Sequence, residues 1–282
     1  MKVPGKVNLY LKVTGKRPDG YHELSTLFLP LSAPADEVTL EPGPPGIELA
    51  SDFRAEGDNL MLRAARRYAE RAGLEPAWRL TLVKNIPVAA GLGGGSADAA
   101  AVLRLLNDRY RALEPAALAA LAAELGADVP FFLAPAAAMA SGIGDRLSPL
   151  GATPPLPLVL VNPRFPVSAR WAYRALDPAR IGRDETGRPE RLIEAVKRGD
   201  PAAVAAELFN DLAPALYRKF PLLCELRDFL LAEGALGSEI TGSGSTLFAV
   251  AAAPEAAASL AERVRGVYGD AVRVFAVSAG NA

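Results

Sequence analysis

Pro87-Val88-Ala89-Ala90-Gly91-Leu92-Gly93-Gly94-Gly95-Ser96-Ala97-Asp98 is the stretch from which the rest of this chain is read. Four of the five residues 91–95 are glycine, between an extended segment at 79–84 and an alanine- and leucine-rich stretch that predicts a helix to about Tyr110. Glycine lacks a Cβ, so such a loop bends through positive φ and exposes its N–H groups. The helix that follows turns its unpaired N–H groups and positive dipole end back toward the loop. Together these make a site for an anion, best matched by a nucleotide polyphosphate. An ordinary turn needs one or two glycines, and four in a cluster cost backbone entropy, so the phosphate reading is preferred to a plain turn.

The loop differs from two better-known phosphate loops. A Walker A motif ends in Gly-Lys-Ser/Thr, whereas this one ends in Gly95-Ser96-Ala97 without lysine. In a dinucleotide fingerprint Ser96 would stand where the third glycine belongs, and Asp108 lies too close, within the same predicted helix.

Working outward, residues 7–13 alternate as a strand, and Arg17-Pro18-Asp19-Gly20 reads as a turn. Further strands are predicted at 26–31 and 37–41, and a helix at 60–72 with Asp58 as its cap and Gly73 as its stop. Ser96 is expected to cap the helix after the glycine loop, and another helix opens at Pro115 and closes at Gly126. A proline cluster at 153–157 marks the expected boundary between an N-terminal domain, 1–152, and a C-terminal one, 153–282. Beyond it come a buried strand at 158–162 and helices at 189–198, 201–209 and 221–233. Strands flank Gly242-Ser243-Gly244-Ser245, and a helix at 255–265 and a strand at 272–277 end the chain. This irregular order, with local hairpins, predicts an α+β fold rather than a doubly wound parallel sheet.

The 282 residues are 50% hydrophobic and 22% charged with a formal net charge of −1, which fits a globular protein and excludes a strongly basic nucleic-acid-binding face. Charges or prolines interrupt every apolar run, so no membrane segment is expected, and the start does not read as a secretory leader. Cys224 is the only cysteine, which agrees with a cytoplasmic location.

Three motifs resemble those of the GHMP kinases, in the right order and across nearly the whole chain. They are the 87–96 run, Pro4-Gly5-Lys6-Val7-Asn8-Leu9, and Ile240-Thr241-Gly242-Ser243-Gly244-Ser245-Thr246-Leu247-Phe248. Residues 16–24 and 126–132 are similar to the branch of that family whose acceptor is a cytidine-diphosphate-linked polyol of the non-mevalonate isoprenoid pathway, phosphorylated at its 2-hydroxyl. The resemblance implies a two-domain α+β kinase fold with its active site in the interdomain cleft. It implies ATP as the donor, and because no His/Cys or dense carboxylate cluster offers a protein-built metal site, Mg²⁺ is expected to arrive with the nucleotide.

From the residues alone Asp128 reads first as a helix cap and Lys6 as a solvated strand-end cation; the resemblance reverses that order and implies Asp128 as the general base and Lys6 as its catalytic partner. ATP would be held by Pro87, Val88, Ala89, Ala90, Gly91, Leu92, Gly93, Gly94, Gly95, Ser96 and Ala97. Asn59 and Lys84 would lie at the adenine, with a helix cap and a solvated strand terminus as their structural alternatives. Ala97 departs from the family's second serine. The acceptor would meet Asn8, Thr241, Gly242 and Ser243, and its cytosine Tyr21, His22 and Tyr173, with Trp171 a rival to Tyr173. The expected partner is that small molecule, without nucleic acid or membrane, bound by a monomer or weak homodimer. Another GHMP small-molecule kinase, of the homoserine or mevalonate type, and a nucleotide-binding protein without turnover are the competing readings.

Overall fold

The turn at 17–20 joins two long strands, β1 (Lys2–Lys16) and β2 (His22–Pro42), in the computed structural model, which describes residues 1–52, 59–182 and 189–281. Gly20 takes φ +89°, and the Tyr21 carbonyl accepts from the Arg17 amide at 2.8 Å, so the expected reversal is present. The two strands expected at 26–31 and 37–41 are a single strand, a correction with a simple cause. Pro30 and Pro34 break the alternation, but proline removes only a donor, and the Pro30 carbonyl still accepts from Gly280 at 2.9 Å.

The chain forms two compact units, each assembled from separated segments. One comprises Met1–Gly5, Pro34–Ile86 and Gly93–Pro135; the other comprises Lys6–Ala33, Pro87–Leu92 and Ala136–Ala282.

The first unit contains β3 (Gly46–Ser51), α1 (Leu60–Ala72), β4 (Ala77–Val83), α2 (Gly94–Tyr110), α3 (Pro115–Leu125) and α4 (Val129–Leu133). β4 pairs antiparallel with the end of β2, from Glu37↔Val83 to Pro42↔Trp78, and parallel with β3. Trp78, Leu80 and Leu82 alternate inward along β4, as a half-buried strand requires. α1 is capped by Asn59, whose Oδ1 accepts from the Met61 amide at 2.9 Å, while the expected cap Asp58 lies outside the described residues. Gly73 ends α1 in the left-handed conformation at φ +65°. α2 packs against α1 and α4, and its small residues, Ala97 and Ala99 to Ala101, are all fully buried.

The second unit adds β5 (Ala138–Ser141), β6 (Arg146–Pro149), β7 (Leu156–Asn162), α5 (Ala169–Arg174), α6 (Pro189–Arg198), α7 (Pro201–Ala206), β8 (Phe209–Asn210), α8 (Ala213–Lys219), α9 (Pro221–Ala232), β9 (Gly237–Ile240), β10 (Leu247–Val250), α10 (Pro254–Tyr268) and β11 (Arg273–Ala279). Strands β9, β10, β7 and β11 lie side by side, every pair antiparallel. β7 is central and buried along its whole length, which is why it reads as an unbroken apolar run. Leu223, Leu226 and Leu230 of α9 and Leu260, Ala261 and Val264 of α10 complete this core. β8 pairs parallel with β1 at Tyr10↔Phe209, and β5 pairs with β2 at Thr26↔Ala140. The architecture is α+β, as expected.

Candidate active site

In the first unit the glycine run leads straight into α2. The helix begins at Gly94, two residues before Ser96, so the expected serine cap is corrected: Gly93 occupies the cap position at φ +73° and no side chain caps the first turn. A glycine there lets the chain enter the helix from the left-handed region, which a side chain resists. The Ala97 amide makes its helical bond to the Gly93 carbonyl at 2.9 Å. The amides of the first turn therefore form a main-chain cradle suited to an anion. Gly95 is exposed, and a Cβ built on it would meet nothing within 4 Å; one on Gly94 would lie 2.9 Å from Ile86 Cγ2 and 3.0 Å from Lys84 Nζ. A polyphosphate fits this open, side-chain-free face. Ala97 points into the core and is 0% exposed.

Lys84 is not a solvated strand terminus. Its ammonium lies between two buried acids, bonded to Asp36 and, at 2.7 Å, to Asp98. Asp36 Oδ1 also accepts from the Asn85 and Ile86 amides at 2.7 and 2.8 Å. Asp98 Oδ1 is buried with no hydrogen-bond partner. Burial pushes the Asp98 carboxyl up to about 7 against the pull of Lys84, and the neighbouring Asp36 adds to the rise. One cation among two acids is neutral when one acid holds a proton. Asp36 carries no motif signal, and nothing in the 87–98 stretch marks its closing Asp98 as buried beside Lys84, so sequence reasoning missed this cluster.

Asn59 realises the capping alternative. Asp128 occupies the N-cap position of α4 at φ −83° and ψ −13°, but its side chain makes no capping hydrogen bond.

In the second unit Lys6 is buried at 4% exposure rather than solvated. Its ammonium donates to Asn8 Oδ1 at 2.6 Å and to the Gly91 carbonyl at 3.1 Å, and lies 5.1 Å from the Phe28 ring centroid. Lys6 and Asn8, two apart on β1, share one face, as the strand period demands. The Thr241 hydroxyl accepts from the Asn8 amide at 3.0 Å. Backbone bonds hold residues 87–92 in place: Lys6 N to Leu92 O at 3.0 Å, Thr246 N to Ala90 O at 3.2 Å and Val167 N to Ala89 O at 3.0 Å. Gly91, at φ +80°, is irreplaceable by geometry, because a Cβ there would lie 2.1 Å from the Thr241 carbonyl oxygen. The turn after β9 thus lies against Gly91, and a Cβ on Gly242 would come within 3.2 Å of Asn8 Oδ1 and 3.5 Å of Lys6 Nζ. Ser243 belongs to the same turn.

His22 and Tyr173 stack with centroids 5.4 Å apart and planes at 20°, while Tyr21, next to His22 in sequence, stands 60% exposed. Trp171 instead packs edge-on against Phe220, at 5.6 Å. Burial, with the charge of Lys16, lowers the His22 pKa, so its ring is neutral at pH 7 and offers one donor and one acceptor.

A helix start built only of main chain in an α+β fold suits an ATP-dependent small-molecule kinase. The chain belongs to the GHMP kinases: the GHMP kinases N terminal domain matches residues 59–135, and the GHMP kinases C terminal matches residues 192–270. It is 42% identical over 265 residues to a 4-diphosphocytidyl-2-C-methyl-D-erythritol kinase of Pelotomaculum thermopropionicum, covering 92% of this chain and 91% of that one. A protein of the same name from Solidesulfovibrio magneticus is 44% identical over 259 residues, covering 88% and 86%. A crystal structure of 4-(cytidine 5'-diphospho)-2C-methyl-D-erythritol kinase superposes with a TM-score of 0.86 at 42% identity, over 100% of this chain and 99% of that one.

Proposed function

We propose that this kinase phosphorylates the 2-hydroxyl of 4-diphosphocytidyl-2-C-methyl-D-erythritol with ATP, in the cytoplasm, as a step of the non-mevalonate isoprenoid pathway. The observation that carries the reading is the uncapped glycine start of α2, whose open face suits a triphosphate. The acceptor is supported by the relatives' names and by the neutral His22 beside two tyrosines, a set that suits a pyrimidine: rings for its face and a donor–acceptor edge for its amide-like rim. In this reading the ATP-binding half is 1–152 and the second half 153–282.

Gly93, Gly94, Gly95 and Ser96 hold the phosphates by main-chain amides. A Mg²⁺ carried by the nucleotide would be held largely by its phosphates and water, with the Ser96 hydroxyl as a hard oxygen it could add, and would offset phosphate charge. Bound ATP supplies the transferable phosphoryl group. Asp128 takes the proton of the acceptor hydroxyl, and the Lys6 ammonium offsets the negative charge that develops. Thr241, Gly242 and Ser243 line the acceptor side.

The test is incubation with ATP, Mg²⁺ and the cytidine-linked acceptor, with homoserine and mevalonate in parallel, reading ADP and the phosphorylated product. Product with the first acceptor alone supports the assignment; preference for either of the others rejects it. Asp128→Asn is expected to keep nucleotide affinity and to lose turnover by about a hundredfold or more. Near-normal turnover in that variant removes Asp128 as the base.

A further inference from the structure

The polarity of the hydrogen bonds beneath Lys6 leads to a residue that no motif marks. Thr26 lies on β2 and is 1% exposed, out of reach of any substrate. Its hydroxyl donates to the Tyr10 carbonyl at 2.6 Å. A carbonyl only accepts, so that bond uses the one hydrogen Thr26 has, and its oxygen faces the next neighbour as an acceptor. That neighbour is the Asn8 Nδ2, which donates at 2.8 Å. With Nδ2 so committed, Asn8 must turn Oδ1 the other way, toward the Lys6 ammonium at 2.6 Å and the Thr241 hydroxyl at 3.3 Å. Lys6 is a donor only, so the same orientation follows from the opposite end. The chain runs one way throughout: Lys6 to Asn8 to Thr26 to the Tyr10 carbonyl.

We infer that Thr26 is a positioning residue of the kinase reaction: through Asn8 it fixes the acceptor that holds the Lys6 ammonium. This rests on the proposed role of Lys6. All the side chains in the relay are buried, at 4%, 3% and 1% exposure for Lys6, Asn8 and Thr26, so water offers little substitute for a lost partner. Valine at position 26 keeps the shape and the strand preference but removes both halves of the relay. Serine keeps the hydroxyl.

Thr26→Val is expected to lower kcat about tenfold, the scale of one buried hydrogen bond, while the KM for ATP stays within about twofold. Thr26→Ser should return kcat to within about threefold of the parent. In an Asn8→Ala background Thr26→Val should cost almost nothing further, because its effect runs through Asn8; an additive loss overturns the inference. Independently of turnover, the Asn8 side-chain amide protons should be protected from solvent exchange by NMR in the parent and Thr26→Ser, and unprotected in Thr26→Val. Equal protection in all three also overturns it. Lys6→Met separates the two layers: if it abolishes turnover while Thr26→Val is silent, only the positioning role falls. If Lys6→Met keeps turnover, the role of Lys6 falls and this inference with it.

Discussion

At the scale of single residues, the glycines of the 91–95 loop are not equivalent. Gly91 and Gly94 are demanded by the protein itself, since a Cβ on either runs into the Thr241 carbonyl or into Ile86 and Lys84. Loss of nucleotide binding on substituting them would therefore confound a broken fold with a blocked site. Gly95 separates the two: its Cβ would point into open space, and it stands at the second position of α2, where alanine is a better helix former. Gly95→Ala should leave stability unchanged or raise it by about 0.5–1 kcal/mol, and should weaken ATP binding about tenfold or more by putting a methyl group where a phosphate approaches. Calorimetric titration with ATP beside a thermal melt checks both. Unchanged affinity would move the nucleotide away from this turn. The glycines were legible in the sequence because a missing side chain is itself a signal. The environments of Lys6 and Lys84 were not, since nothing in a strand-end lysine distinguishes a solvated ammonium from one sealed between acids.

At the scale of elements, Lys84 ties the end of β4 to β2 through Asp36 and to α2 through Asp98. The tie holds the helix whose first turn carries the phosphates in the proposed reading, and it makes stability depend on pH. The Asp98 pKa is 3.8 in the unfolded chain and about 7 in the folded one, so the folded protein holds the extra proton between those values. Its contribution is full below about 4 and is lost as the pH rises through about 7. Asp98→Asn keeps an acceptor for Lys84 and removes the titration. Denaturant unfolding at pH 5 and pH 8 should show the parent losing stability across that interval more steeply than the variant, with the variant ahead by about 1–2 kcal/mol at pH 8. Identical slopes would mean that Asp98 stays ionised throughout. Most elements were legible from periodicity and from glycine and proline punctuation: α1 runs over 60–72 and stops at Gly73 as expected, and α3 opens at Pro115, while the expected caps Asp58 and Ser96 gave way to Asn59 and Gly93. β3, β5, β6, α5 and α8 were missed because they are short and lie among prolines and glycines, where local preference is weakest and pairing or packing decides; the helix expected over 201–209 stops at Ala206, and Phe209 and Asn210 instead form β8, paired with β1.

At the scale of the whole molecule, 31 basic and 32 acidic residues give almost no net charge to draw in a polyanion, so the proposed reading relies on local groups such as the main-chain dipoles at the start of α2. Local composition gives a change of texture at the 153–157 prolines, whereas the compact units are built from segments far apart, with β1 and β2 contributing to both. Long-range pairing of that kind leaves no mark in a window of a few residues. Ligand linkage reads the two binding functions separately without any turnover. A nucleotide at about a hundred times its Kd stabilises the folded state by about 2.7 kcal/mol, which for a chain of this size raises the melting midpoint by roughly 5 °C. ATP and cytidine diphosphate should each produce such a shift in the parent. Gly95→Ala should lose most of the ATP shift and keep that of cytidine diphosphate, and His22→Ala should do the reverse, because the phosphate cradle and the stacked His22–Tyr173 pair use different atoms. A His22→Ala protein that still responds fully to cytidine diphosphate would place the pyrimidine elsewhere, and the cytidine-linked acceptor would then have no support from the geometry of this chain.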